Sequence, residues 1–212
     1  MTRGEYLNRV RQALLWRGRR LGRDLALARA RADCALNGIE VVCDLLHHSS
    51  DSALIERLLV HWGATLGPGT YFKGYLTIDN ASGDDDATND FRHLSIGRRV
   101  FVGKNVSLDL PARIVIHDEA IISAGVTILT HADCGQRQMS RYFPRKTGDV
   151  EIGFGSWLGA NATVLCGVTI GNDCVVGASA LVAESVPDGE IWAGVPARKI
   201  GTAAERSRRD RG

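Results

Sequence analysis

A period of six residues runs without a slip from Ile152 to Val186, and it removes most folds open to a chain of 212 residues. Aliphatic residues stand at Ile152, Leu158, Val164, Ile170, Val176 and Val182. A small or β-branched residue follows each of them four positions later, at Ser156, Ala162, Val168, Cys174, Ala180 and Val186. A helix repeats roughly every 3.6 residues and a strand every 2, so neither carries a beat of six. A parallel β-helix does, with one short strand and one corner per hexad. One hexad cannot bury its large apolar side chain, so successive coils must stack, about 4.8 Å apart, into a continuous aliphatic column. Gly153, Gly159, Gly171 and Gly177 each follow an aliphatic residue. They are expected at the corners, supplying φ > 0.

The same beat appears upstream at Ile96, Val102 and Leu108 and at Ile116, Ile122 and Ile128, with a register shift at 111–113 and a weaker start at Leu66, Phe72 and Ile78. The predicted organisation is an all-β solenoid over 66–192, an α-helical N-terminal cap over 1–65, and a C-terminal cap with a basic tail over 193–212. Two segments interrupt the repeat, and interruptions of such arrays fall on loops at one face, often the binding face. The first, 80–91, carries Asp84, Asp85 and Asp86 and reads as a solvated loop. The second, 131–150, contains Arg137, Arg141, Tyr142, Arg145 and Lys146 and reads as a protruding surface arm.

Few aromatics (6%) among 44% hydrophobic residues suit an aliphatic column better than an aromatic-centred globule. The net charge of +2 hides an asymmetry. Residues 1–33 hold nine Arg against Glu5, Asp24 and Asp33, and residues 198–212 hold six basic residues against two acidic ones. The middle is therefore acidic by eight charges, which argues against a nucleic-acid groove on the solenoid.

Leu7, Val10, Leu14, Gly18, Leu21 and Leu25 share one face of an amphipathic N-terminal helix. Gly18 and Gly22 weaken that helix, so its stability is expected to come from docking. A second helix is predicted from a cap at Asp51 or Ser52 to Trp62, with Leu54, Ile55, Leu58 and Leu59 inward. The helices are expected to cover the open edge of the first coil. An Arg-rich amphipathic helix also permits contact with a membrane surface.

No apolar stretch is long enough to cross a bilayer and no apolar signal region follows the basic start, so the reading is cytoplasmic, with no transmembrane segment. Five cysteines without a CxxC pair read as reduced thiols. Cys174, at a small inward position, reads as core filler.

The candidate base is His131, where the regular coil gives way to the arm. An imidazole held by a scaffold yet open to substrate suits proton abstraction near neutrality. His93 and His117 read as corner residues, and His47, His48 and His61 belong to the cap.

From Ile96 onward the chain resembles the hexapeptide-repeat acyltransferases, most of all the branch of maltose, galactoside and exopolysaccharide O-acetyltransferases. The residues that carry the likeness are TILTH at 127–131, IGFGSWLGANA at 152–162, GVTIG at 167–171, VVGASALV at 175–182 and AGVPARKI at 193–200. The resemblance implies a left-handed parallel β-helix and acetyl transfer from acetyl-CoA to a hydroxyl of a sugar or glycosylated metabolite. It implies no metal, and a homotrimer with active sites between neighbouring solenoids. It makes His131 the general base and the Ala160 backbone N–H the oxyanion donor, with Asp109 chosen as the imidazole's partner. Trp157, Gly159, Ala160, Gly177 and Ala178 would line the pantetheine arm. Pro196, Arg198 and Lys199 would meet the adenine and phosphate end. Arg141 and Tyr142 are the acceptor candidates.

The chain departs from the pattern twice. Ala183-Glu184 replaces the usual Thr-Lys, so phosphate must rely on other cations, and Ala132-Asp133-Cys134-Gly135 replaces a Pro-rich opening of the arm. Other readings are N-acetylation of an amino sugar and a non-catalytic trimeric scaffold. A zinc carbonic anhydrase on the same fold needs three converging histidines. His93, His117 and His131 supply the number but lack the close pair.

Overall fold

The computed structural model describes the backbone of residues 3–209 and the side chains of residues 18–206. Three helices, α1 (Arg3–Asn37), α2 (Glu40–His48) and α3 (Ser52–His61), precede a run of short strands that visit three sheets in fixed rotation. The first sheet holds Thr65–Leu66, Leu94–Ile96, Ile114–Ile116, Val150–Ile152 and Thr169–Ile170. The second holds Tyr71–Phe72, Phe101–Val102, Ile121–Ile122, Trp157–Leu158, Val175–Val176 and Glu190–Gly194, with Ala197–Thr202 added antiparallel at its end. The third holds Thr77–Asp79, Ser107–Asp109, Thr127–Ile128, Thr163–Val164 and Leu181–Val182. Otherwise neighbouring strands in these sheets are parallel, and Ile152, Leu158 and Val164 pair with Ile170, Val176 and Val182, so three hexads make one coil.

The twelve residues that set the six-residue beat form the core, none more than 2% exposed. Ser156 is buried among them at no cost, because its hydroxyl donates to the Gly171 carbonyl (2.7 Å) and accepts from Cys174 N–H (2.9 Å). Cys174 is buried as expected, and all five thiols are free.

The hexad glycines serve a different purpose from the expected one. Gly153, Gly159, Gly171 and Gly177 stay out of the left-handed region. A Cβ on Gly153 would stand 2.4 Å from the Gly171 carbonyl carbon, and one on Gly159 2.5 Å from the Ala178 nitrogen. Close approach of the next coil, rather than the turn, excludes a side chain there. Positive φ falls two residues later, at Gly155, Asn161, Asp173 and Ser179, and at Gly167 with the same beat. Asn and Asp are the side chains that visit that region most readily.

At the N-terminal end α3 matches its predicted bounds. Asp51 accepts from the N–H groups of Ala53 and Leu54, and Ile55, Leu58 and Leu59 are fully buried. The first coil's orphan amides are met from this side: Phe72 N–H donates to Ser52 Oγ, Tyr75 N–H to the Ser49 carbonyl and Phe91 N–H to the Trp62 carbonyl. Helix α2, not among the two helices expected, buries Val42 and Leu46.

Helix α1 docks as expected, but not through the apolar face read from the sequence. Of the stripe assigned to it, Leu21 and Leu25 are 61% and 63% exposed, and Leu7, Val10 and Leu14 lie outside the described side chains. The helix instead packs through Leu27, Ala30 and Cys34. Among the described residues, no helix is long and apolar enough to cross a membrane. The last coil ends in an antiparallel hairpin, Glu190–Gly194 against Ala197–Thr202, turned at a cis Val195–Pro196 bond.

Candidate active site

Both interruptions leave the coil at one corner, the passage from the third sheet to the first. The earlier one follows Thr77–Asp79, and the later one follows Thr127–Ile128 two coils on. Between them the intervening coil passes from Asp109 through Leu110 to Ile114, so Asp109 faces both excursions.

Asp109 is 2% exposed and gathers donors from each neighbour. Its Oδ2 accepts from His131 Nδ1 (2.7 Å), Thr130 N–H (2.8 Å) and His131 N–H (3.0 Å), and its Oδ1 accepts from Asn80 Nδ2 (2.7 Å). A buried carboxylate needs such partners, because each unpaired polar atom would lose its hydration without return. Because a carboxylate only accepts, its bond to Nδ1 assigns the ring proton there and leaves the lone pair on Nε2. The Thr130 hydroxyl, itself buried, donates to the Asp109 carbonyl (2.8 Å) and accepts from Ala112 N–H (3.0 Å). His131 then starts a short antiparallel ladder with Thr147 that carries the arm outward.

The first excursion is only in part the solvated loop expected of it: Asp85 and Asp86 are exposed, but other residues are tied down. Ala81 and Phe91 are buried, and Asp84 is 11% exposed at its side chain. Arg145 from the arm donates to Asp84 and Asp86 of the first excursion and to Asp133 of its own segment. One guanidinium therefore ties the two excursions together. Burial works to raise the Asp84 pKa, but the Arg145 and Asp86 N–H bonds outweigh it and hold the carboxyl below its usual range. Asp133 is lowered chiefly by its hydrogen bond to Arg145. Oxygens of Asp84 and Asp133 and a ring nitrogen of His131 lie within 4.8 Å of one another. Arg145 already neutralises both carboxylates, which suits a latch better than a cation site. His93 and His117 are bonded elsewhere, to the Leu110 carbonyl and to Glu151, so the three histidines do not converge.

Beside His131 the arm forms a cleft of about 540 Å³ lined by Ala132, Asp133, Cys134, Tyr142, Phe143, Pro144 and Lys146, with a smaller one against Asp85 and Arg145. Tyr142 thus lines the cleft, whereas Arg141 is exposed on a short 3-10 turn outside both linings. Asn80, Thr130, Asp84 and Arg145 were not named as site residues by the sequence. Their one signal was that both interruptions fall at the same phase of the repeat.

The remaining candidates lie on other edges. Trp157 stands half-exposed on the second sheet, its Nε1 donating to Ser123 Oγ (3.0 Å), and Gly159, Ala160, Gly177 and Ala178 form the corner between the second and third sheets. Within one chain they do not share an edge with His131. Pro196 is exposed at the terminal hairpin, and Lys199 and Arg198 are paired with Glu190 (2.6 Å) and Glu184 (3.4 Å). The outer positions of the second sheet run Tyr71, Phe101, Ile121, Trp157, Val175 and Ile191, an apolar ladder.

Comparison with known proteins agrees with this architecture. Residues 149–184 match the bacterial transferase hexapeptide model, and residues 93–130 match the hexapeptide repeat of succinyl-transferase. Galactoside O-acetyltransferase of Escherichia coli is 24% identical over 174 residues, covering 82% of this chain and 81% of that protein. Among solved structures, the hexapeptide-repeat acetyltransferase VCA0836 of Vibrio cholerae superposes with a TM-score of 0.63 at 23% identity, over 74% of this chain and 84% of that one. A galactoside acetyltransferase in complex with coenzyme A gives 0.56 at 21% identity, over 80% of each chain. With its stacked hexads and the matches to both repeat models, the chain carries the hexapeptide repeats of bacterial transferases and is similar to hexapeptide-repeat acetyltransferases over most of its length.

Proposed function

We propose that this protein is an acetyl-CoA-dependent O-acetyltransferase that acts on a hydroxyl of a sugar or glycosylated metabolite, built on coils of left-handed sense. The carrying observation is the imidazole of His131, bound through Nδ1 to buried Asp109 and next in sequence to Ala132, which lines the larger cleft. His131 Nε2 takes the proton of the acceptor hydroxyl as its oxygen attacks the thioester carbonyl. The tetrahedral oxyanion is met by Ala160 N–H. Its collapse breaks the C–S bond, and the proton passes from Nε2 to the leaving CoA sulfur. General-base help of this kind contributes about 10² to 10⁴ in rate, and one oxyanion donor about 10² to 10³.

Because His131 and Ala160 occupy different edges, one chain alone does not form this site. A homotrimer does, if the second sheet of one copy meets the arm corner of the next. The apolar ladder from Tyr71 to Ile191 is the surface that such an assembly would cover. Pantetheine would then lie along Trp157, Gly159, Ala160, Gly177 and Ala178. With Arg198 and Lys199 engaged by Glu184 and Glu190, phosphate contacts there require those pairs to open. Acceptor contacts fall to Tyr142 and its neighbours in the arm.

The test is CoA thiol release with a panel of hydroxylated and aminated sugars, comparing the parent with His131→Ala. Loss of at least about 10² in turnover by a variant of unchanged assembly and melting is expected. Unchanged turnover would overturn the assigned base, and the acceptor that responds decides between oxygen and nitrogen.

A further inference from the structure

Helix α1 meets the body through Arg23, Leu27, Ala30 and Cys34, spaced along one side. Arg23 Nε donates to Asp51 (2.8 Å), Ala30 is 3% exposed, and Leu27 and Cys34 pack on the core. At roughly 100° per residue, positions two away lie on the opposite side. Those positions are Leu21, Leu25, Ala28, Ala32 and Leu36, and all are exposed, the three leucines by 61%, 63% and 83%. Gly18 continues the stripe with open space around it. The same spacing runs on in the sequence to Leu14, Val10 and Leu7. Exposed Arg29 and Arg31 sit to either side of the stripe, and Arg29 keeps 85% of its side chain exposed despite a long contact to Asp33.

We propose that this outward face of α1 lies on an anionic lipid surface, with the leucines in the headgroup–acyl boundary and the flanking arginines on lipid phosphates. An apolar stripe edged by cations is the pattern that interfacial helices use. Charge selects the occupant. Residues 1–33 carry nine Arg against three acidic residues, so helices of several copies laid side by side would set like charges together. A nucleic acid would satisfy the arginines and leave the leucines in water. The acidic solenoid would be repelled by the same lipids, which leaves the helix as the point of contact. The inference does not depend on acetyl transfer.

The experiment is flotation of the full chain with phosphatidylcholine vesicles with or without about 30% phosphatidylglycerol, at low and high salt. Binding is expected on the anionic vesicles alone, weakened by salt. Leu21→Glu with Leu25→Glu should reduce partitioning by at least about tenfold, and Arg29→Glu with Arg31→Glu by severalfold. Unchanged melting of both double variants verifies the fold. Absence of flotation of the parent, or flotation insensitive to the leucine changes, overturns the proposal. So does dissociation of an oligomer by the leucine changes in light scattering, because the stripe would then belong to a second copy.

Discussion

The coils from Val150 to Val186 and the corner that carries Asp109 and His131 use opposite means of holding the chain in place. In the first, every corner is short, buried positions are aliphatic or small, and backbone amides close onto the next coil. In the second the chain leaves the coil twice, and it is held by one buried carboxylate and one guanidinium, each bonded to several partners. Regular stacking admits inside only a small polar side chain such as Ser156, whose hydroxyl is fully bonded. Where the repeat opens, longer polar side chains such as Asp109 and Arg145 gain the space and the partners that the coils do not offer. This scaffold thus confines candidate chemistry to its exceptions.

The largest effect should come from the corner. Asp109→Ala strips acceptors from Asn80 Nδ2, Thr130 N–H and His131 N–H and frees the imidazole to turn. A loss of about 3 kcal/mol in denaturant unfolding is expected, from unsatisfied donors worth about 1–3 kcal/mol each before relaxation. Turnover should also drop by about 10- to 100-fold or more. If stability fell but turnover per folded molecule did not, the pair would be architectural only.

A second pair of substitutions probes the coils. Gly153→Ala drives a methyl into the Gly171 backbone and should cost about 2–3 kcal/mol. Ser179→Gly relieves a residue at φ 57° and should stabilise by up to about 1 kcal/mol. Equal effects of the two in urea melts would contradict the assignment of close approach to one position and turn strain to the other.

The smallest effect concerns the latch. Asp84 and Asp133 have folded pKa values below their ordinary ones, so their contribution is complete above about pH 4 and is lost as pH falls through the lower folded values. Asp84→Asn should therefore lower stability by about 1 kcal/mol at pH 7, with the gap from the parent closing as pH falls below the ordinary carboxylate range. A gap independent of pH in thermal unfolding would mean that the contact works through packing instead of charge.

Much of this molecule is legible without coordinates. The beat of six names the buried residues from Ile152 to Val186, because a stacked coil admits one aliphatic column and no other placement. The Asp51 cap and the inward face of α3 follow from local hydrogen bonding and helical spacing. Glycine was legible in position but not in purpose, since sequence spacing does not reveal which corner atom meets the next coil. The stripe on α1 was visible as a stripe. Its orientation was not, because Arg23, Leu27, Ala30 and Cys34 make a competing face.

Sequence alone determined the repeat, its buried column, the two interruptions and the histidine at the edge of one of them. The tertiary structure decided that both interruptions share one corner, that Arg145 reaches across from Asp133 to Asp84, and that His131 and Ala160 stand on separate edges. The reason is physical: a period specifies what each residue does within its own coil, whereas contacts between excursions two coils apart depend on how many residues each loop spends before it returns.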